Sequence, residues 1–130
     1  MADNIILLLV DDEKLIRASL EIALTTAGYK VITAANGGDA IAQLDKSGNN
    51  LSGLITDVNL GSGESGWDVA RHARELNPSF PIVYMTGDSA DEWAAQGVPN
   101  SALVHKPFAY PQIITAISTL LNDASETLHA

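Results

Sequence analysis

Apolar residues in this chain gather in short unbroken runs, and polar residues close those runs. The runs lie at 5–10, 31–34, 54–56, 82–85 and 102–104 and are rich in β-branched side chains. Continuous rather than alternating apolarity predicts strands covered on both faces. Between the runs the spacing turns helical. Ile16, Leu20, Ala23, Leu24 and Ala27 mark a first helix, with Gly28 as its stop. Ala40, Ile41 and Leu44 mark a second, shorter one. Val69, Ala70, Ala73 and Leu76 mark a third, closed by Asn77-Pro78. Residues 89–96 form a weak fourth stripe ended by Gly97. Ile113, Ile114, Ile117, Leu120 and Leu121 mark a strong fifth, with Pro111 in its first turn. Strand and helix thus alternate five times, which predicts a parallel sheet with helices on both faces. The expected class is α/β, a flavodoxin-like (βα)5 doubly wound sheet of strand order 2-1-3-4-5. Residues 1–122 read as one domain and 123–130 as a polar tail without a packing stripe.

In such a sheet the carboxyl ends of the strands line one crevice, where these folds do their chemistry. Asp11-Asp12, Asp57, Thr86 and Lys106 each end a different run, so three carboxylates, a hydroxyl and an amine are expected at one edge. Asp is a good helix N-cap, and one residue of the acidic pair can serve so. Two adjacent carboxylates also repel, by about 4 kcal/mol at about 4 Å in an effective dielectric of about 20, and a cation relieves that. The set suits a divalent metal and a phosphoryl group. In the 2-1-3-4-5 order Asp57 faces Asp11-Asp12, and a carboxylate can accept a phosphoryl group to give an aspartyl-phosphate. Lys106 precedes Pro107, which biases its backbone toward extended geometry and could aim the ammonium along the edge.

Composition narrows the partners. Asp and Glu number 16 against 7 Lys and Arg, a net charge of −9. That balance disfavours nucleic acid and anionic membranes. Cysteine is absent, which excludes disulfides, thiolate catalysis and Cys-ligated zinc. The first apolar run is too short for a signal or a span, so a cytoplasmic location is expected. His72, His105 and His129 share no ligand spacing, and His72, beside Arg71 and Arg74, reads as solvated. Trp67 and Trp93 read as partly buried, or Trp93 as a partner anchor.

Taken in order, Asp11-Asp12, Asp57, Gly66 before the third helix, Thr86 and Lys106-Pro107-Phe108 resemble the receiver domain of bacterial two-component response regulators. The likeness covers residues 5–121. It implies a signalling switch rather than an enzyme in its own right, with self-phosphorylation and self-dephosphorylation activity. Asp57 would accept a phosphoryl group from a phosphohistidine of a sensor histidine kinase or a histidine phosphotransfer protein. Mg²⁺ (or Mn²⁺) would be held by Asp12, Asp57 and the backbone carbonyl of Asn59, with Asp11 acting through a water. Thr86 and Lys106 would engage phosphoryl oxygens. The downstream target protein is unspecified, and a monomer or weak dimer is expected.

Departures from the family pattern are specific. Leu103 stands where members often carry an aromatic switch, leaving Tyr84 or Tyr110 as candidates to replace it. The loop after Asp57 lacks the usual proline and is one residue longer, which suggests a mobile segment tuning access to the site. By likeness to chemotaxis regulators, Asn59 and Asp88 would help water reach the phosphoryl group and shorten its lifetime. Initial Met1 fits a stand-alone chain; a receiver excised from a hybrid histidine kinase or phosphorelay is the alternative. Gly61-Ser62-Gly63-Glu64-Ser65-Gly66 also spells G-x-G-x-x-G, a dinucleotide-binding fingerprint. It does not follow its strand directly, however, and Glu64 would oppose a pyrophosphate. A small aspartate phosphatase is the remaining rival, and it wants an acid where Asn59 stands.

Overall fold

The structure is a computed structural model that describes residues 5–129, with side chains for 5–124. Five strands and the helices between them follow in strict alternation: β1 (Ile6–Val10), α1 (Lys14–Thr26), β2 (Lys30–Ala34), α2 (Gly37–Ser47), β3 (Gly53–Asp57), α3 (Gly66–Leu76), β4 (Ile82–Thr86), α4 (Trp93–Gln96), β5 (Ala102–His105) and α5 (Tyr110–His129). A single turn of 3₁₀ helix, Ala90–Glu92, leads into α4. All strand pairs are parallel and the order is β2-β1-β3-β4-β5, as the alternation predicts.

The β1–β3 register sets Val10 beside Thr56, and the β3–β4 register sets Asp57 beside Met85. The ends of β1, β3 and β4 are therefore level, and the polar residues that follow them share one edge. Neighbouring strand residues point to opposite faces, which divides the core in two. Leu8, Val10, Leu54 and Tyr84 pack with Leu44, Val69 and Ala73 under α2 and α3. Leu7, Leu9, Ile55 and Met85 pack with Leu20, Ile113 and Ile117 under α1 and α5. Every residue of β3 and β4 is buried, which explains their unbroken apolarity.

Helix ends follow the local chemistry. Gly28 takes φ 106° just past α1, a conformation L side chains rarely adopt. Ser65 and Asp68 cap each other at the start of α3. Three features differ from the sequence expectation. The backbone continues as helix α5 through residues 123–129, because the segment contains no glycine or proline and adding residues to a formed helix is easy. The fourth helix shrinks to Trp93–Gln96 behind its 3₁₀ turn. His72 is not free in solvent: its Nε2 lies 2.6 Å from Asp45 Oδ1, tying α3 to α2. Trp67 is buried and meets Tyr84 edge-on, centroids 4.6 Å apart, whereas Trp93 is 37% exposed.

Candidate functional site

The site stands on the ends of β1, β3, β4 and β5. Asp11 is fully buried directly after β1. Its Oδ1 accepts the Glu13 backbone N–H at 2.8 Å, which turns the carboxylate inward, and Arg17 binds its backbone carbonyl at 2.7 Å. Its Oδ2 is buried with no hydrogen-bond partner among the described residues. Asp57 ends β3 with 5% of its surface exposed. Ligand oxygens of Asp11, Asp12, Glu13 and Asp57 all lie within 4.8 Å of one another. Lys106, just past β5, places Nζ 3.0 Å from Asp57 Oδ2 and 3.8 Å from Glu13 Oε1. The peptide bond between Lys106 and Pro107 is cis.

Burial and crowding set the electrostatics. Burial, reinforced by the Asp57 charge and opposed by the Glu13 N–H, lifts the Asp11 carboxyl from its ordinary 3.8 to about 6. Burial likewise raises Asp57, against the bond and charge of Lys106. Lys106 is itself raised: burial disfavours its ammonium, but the hydrogen bond to Asp57 and the charges of Asp57, Asp11 and Glu13 together outweigh that. The directions at Asp57 and Lys106 look inconsistent for an ion pair. They reconcile because one ammonium serves several carboxylates, so each carboxylate is under-compensated and the ammonium over-compensated.

Thr86 and Asn59 sit at the same edge but are engaged elsewhere. The Thr86 hydroxyl, buried, accepts the Ser89 backbone N–H at 2.9 Å. Asn59 Nδ2 donates to Asp88 Oδ1 at 2.9 Å, and the Ser89 hydroxyl donates to the same oxygen at 3.2 Å. The loops after β3 and β4 are thereby joined across the mouth of the site. Sequence reasoning missed Glu13, Arg17 and Ser89. Glu13 had a signal, being a third acid directly after the acidic pair. The Arg17 guanidinium reaches a backbone carbonyl, and Ser89 engages Thr86 by its backbone N–H and Asp88 by its hydroxyl, and neither contact is marked by residue type.

The loop after Asp57 is anchored at both ends. Leu60 is buried, and the Gly66 N–H donates to the Val58 carbonyl at 2.8 Å. A Cβ on Gly66 would overlap the carbonyl oxygen of Asp57, and one on Gly37 would overlap the backbone of Glu64. The third glycine of the G-x-G-x-x-G match thus packs on protein backbone, and the geometry favours a connecting loop over a pyrophosphate cradle. Gly66→Ala is expected to lower stability by about 1–3 kcal/mol through the forced backbone shift. Urea unfolding checks this, and a variant as stable as the wild type would mean the loop has room to give.

The chemistry of the donor set fits a hard divalent cation. All candidate ligands are oxygens, one is a buried carboxylate oxygen left without a partner, and their mutual repulsion needs a positive charge. Against this geometry, the profile of the response regulator receiver domain matches residues 7–118. The chain belongs to this family.

Receiver structures superpose closely. A response regulator receiver protein from Sinorhizobium medicae WSM419 is 45% identical with a TM-score of 0.89, over 92% of this chain and 96% of that one. The chemotaxis protein CheY4 of Vibrio cholerae is 28% identical with a TM-score of 0.79, over 89% and 98%. The transcriptional regulatory protein CusR of Escherichia coli strain K12 is 33% identical over 88% of this chain and 50% of its own length. The chain spans about half the length of such curated relatives. Among the described residues no helix is long and apolar enough to cross a membrane.

Proposed function

We propose that this receiver is a phosphorylation-activated switch in which Asp57 is the phosphoacceptor, supplied by a phosphohistidine on a histidine kinase or phosphotransfer protein. The observation that carries the reading is the Asp57–Lys106 pair, 3.0 Å apart, inside a carboxylate cluster whose Asp11 oxygen lacks a partner. Asp11, Asp12, Asp57 and the Asn59 carbonyl are the groups that would hold Mg²⁺ or Mn²⁺. Such an ion supplies charge neutralisation between the acceptor carboxylate and the phosphoryl oxygens.

The residues divide the remaining work. An Asp57 carboxylate oxygen attacks phosphorus, and the histidine nitrogen leaves with the bonding pair. Lys106, already beside Asp57, swings its ammonium onto a phosphoryl oxygen as a point charge. Thr86 exchanges the Ser89 N–H for a second phosphoryl oxygen and becomes a donor. The two loops joined by Asn59, Asp88 and Ser89 then reorganise, so the phosphorylated and free chains present different surfaces to a partner protein. Asn59 and Asp88, two residues past Asp57 and Thr86 and bonded to each other at 2.9 Å, admit water and so limit the lifetime of the phosphorylated state. The catalytic contribution is positioning and electrostatics alone, which makes the chain a regulatory phosphoacceptor acting on itself.

The test is intact-protein mass spectrometry after incubation with Mg²⁺ and acetyl phosphate. One added phosphoryl group is expected, and chelation by EDTA should prevent it. Absence of uptake, together with failure to bind beryllofluoride, would overturn the reading.

A further inference from the structure

Glu13 occupies the N-cap position of α1. Helix starts favour Ser, Thr, Asp or Asn there, whose short side chains accept a backbone N–H of the first turn. Glu13 makes no such bond. Its carboxylate turns instead to the site, where Oε1 lies 3.8 Å from Lys106 Nζ while that same ammonium holds Asp57 at 3.0 Å. The Glu13 side chain is 60% exposed and that of Lys106 21%, so Glu13 stands at the solvent side of the pair. Any anionic donor approaching Asp57 meets this charge, and its phosphoryl oxygens need the ammonium that Glu13 shares.

On the reading of Asp57 as phosphoacceptor, we infer that Glu13 is an electrostatic brake on phosphoryl uptake from free anionic acyl phosphates. It competes with the donor's oxygens for Lys106 and adds negative charge where the donor must enter. In the reaction an Asp57 carboxylate oxygen forms the new bond to phosphorus. The bond from phosphorus to the acyl oxygen breaks, and the carboxylate product leaves with the electron pair, so no proton has to move. A donor docked through a protein surface draws on binding energy elsewhere, whereas a small acyl phosphate has only the site itself. Glu13 thus tilts the chain away from adventitious small donors.

The test compares the full wild-type chain with Glu13→Gln and Glu13→Asp across a range of acetyl phosphate concentrations. Mg²⁺ is held saturating for each variant, as set beforehand by thermal-shift titration with the metal alone. Glu13→Gln is expected to raise the apparent second-order rate constant at low ionic strength by about three- to fivefold, the scale of a partly exposed ion pair. The gain falls on the donor concentration for half-maximal rate rather than on the rate at saturation. It shrinks toward nothing in about 1 M salt, where charges are screened within about 3 Å. Glu13→Asp keeps the charge and stays slow. An unchanged or slower Glu13→Gln, or a gain indifferent to salt, overturns the inference while leaving the phosphoacceptor reading intact. A wild type that takes up no phosphoryl group overturns both.

Discussion

Asp57→Asn is expected to abolish phosphoryl uptake, lowering the rate with acetyl phosphate and Mg²⁺ by at least about a hundredfold. The amide is nearly isosteric with the carboxylate, so the fold and the neighbouring backbone are retained. What disappears is the nucleophile, because an amide oxygen carries no full negative charge. The other carboxylates are poorly placed to take over. Asp11 is fully buried and one of its oxygens is committed to the Glu13 N–H. Asp12 and Glu13 are exposed, and of the site acids only Asp57 holds Lys106 at hydrogen-bond distance, 3.0 Å. Intact-mass measurement followed by peptide mapping checks the result. Undiminished uptake in the variant, traced to another acid, would remove Asp57 from the mechanism.

The second large effect is on stability. Asp11→Asn is expected to stabilise the metal-free chain by about 3 kcal/mol at pH 7, since lifting an acid from 3.8 to about 6 costs about 1.4 kcal/mol for each tenfold change in acidity. Asparagine keeps an oxygen for the Glu13 N–H and puts an amide donor among carboxylates where a buried oxygen now has no partner. The pH dependence has a definite sign. In the folded chain Asp11 holds its proton up to about pH 6, in the unfolded chain only to about 3.8. The folded state therefore binds more protons in that window, and the penalty of the charged group fades as pH falls through it. The variant's advantage should be full above pH 6 and gone below 3.8. Mg²⁺ should narrow the gap by stabilising the wild type more than the variant, which loses one carboxylate of the cluster and keeps the others. Thermal melts across pH, with and without the metal, measure both. A variant no more stable than the wild type at pH 7 would show that the buried charge is tolerated at no cost.

Much of this architecture is readable from residue order because strand burial and side-chain type are tightly linked. The runs at 54–56 and 82–85 are apolar without a break because β3 and β4 have no solvent face. Asp57 and Lys106 stand out because each ends such a run. Other features depend on relations that residue type does not encode. The partner of His72 is Asp45, on a different helix and distant in sequence, so local composition made it look solvated. Glu13 is marked in the sequence by following the acidic pair, but its pairing with Lys106 is visible only in the folded chain. Thr86 is predicted at the edge, but its bond to the Ser89 backbone is invisible in the sequence. Tyr84 was a candidate rotor in place of an aromatic at Leu103. In the structure it is fully buried, its hydroxyl accepts the Val98 N–H at 3.1 Å, and its ring abuts Trp67. Turning it would break that bond and open a void, so Tyr84 behaves as a fixed strut in this arrangement.

The two tryptophans have a practical consequence. Trp67 lies in the core one residue into α3, close behind the acceptor strand, while Trp93 opens α4 and keeps a face in water. Iodide or acrylamide can therefore quench Trp93 emission while sparing Trp67. The chain carries its own pair of optical probes, one in the core against Tyr84 and one on the connection from β4 to β5, and needs no attached dye for the timing of events at each to be compared.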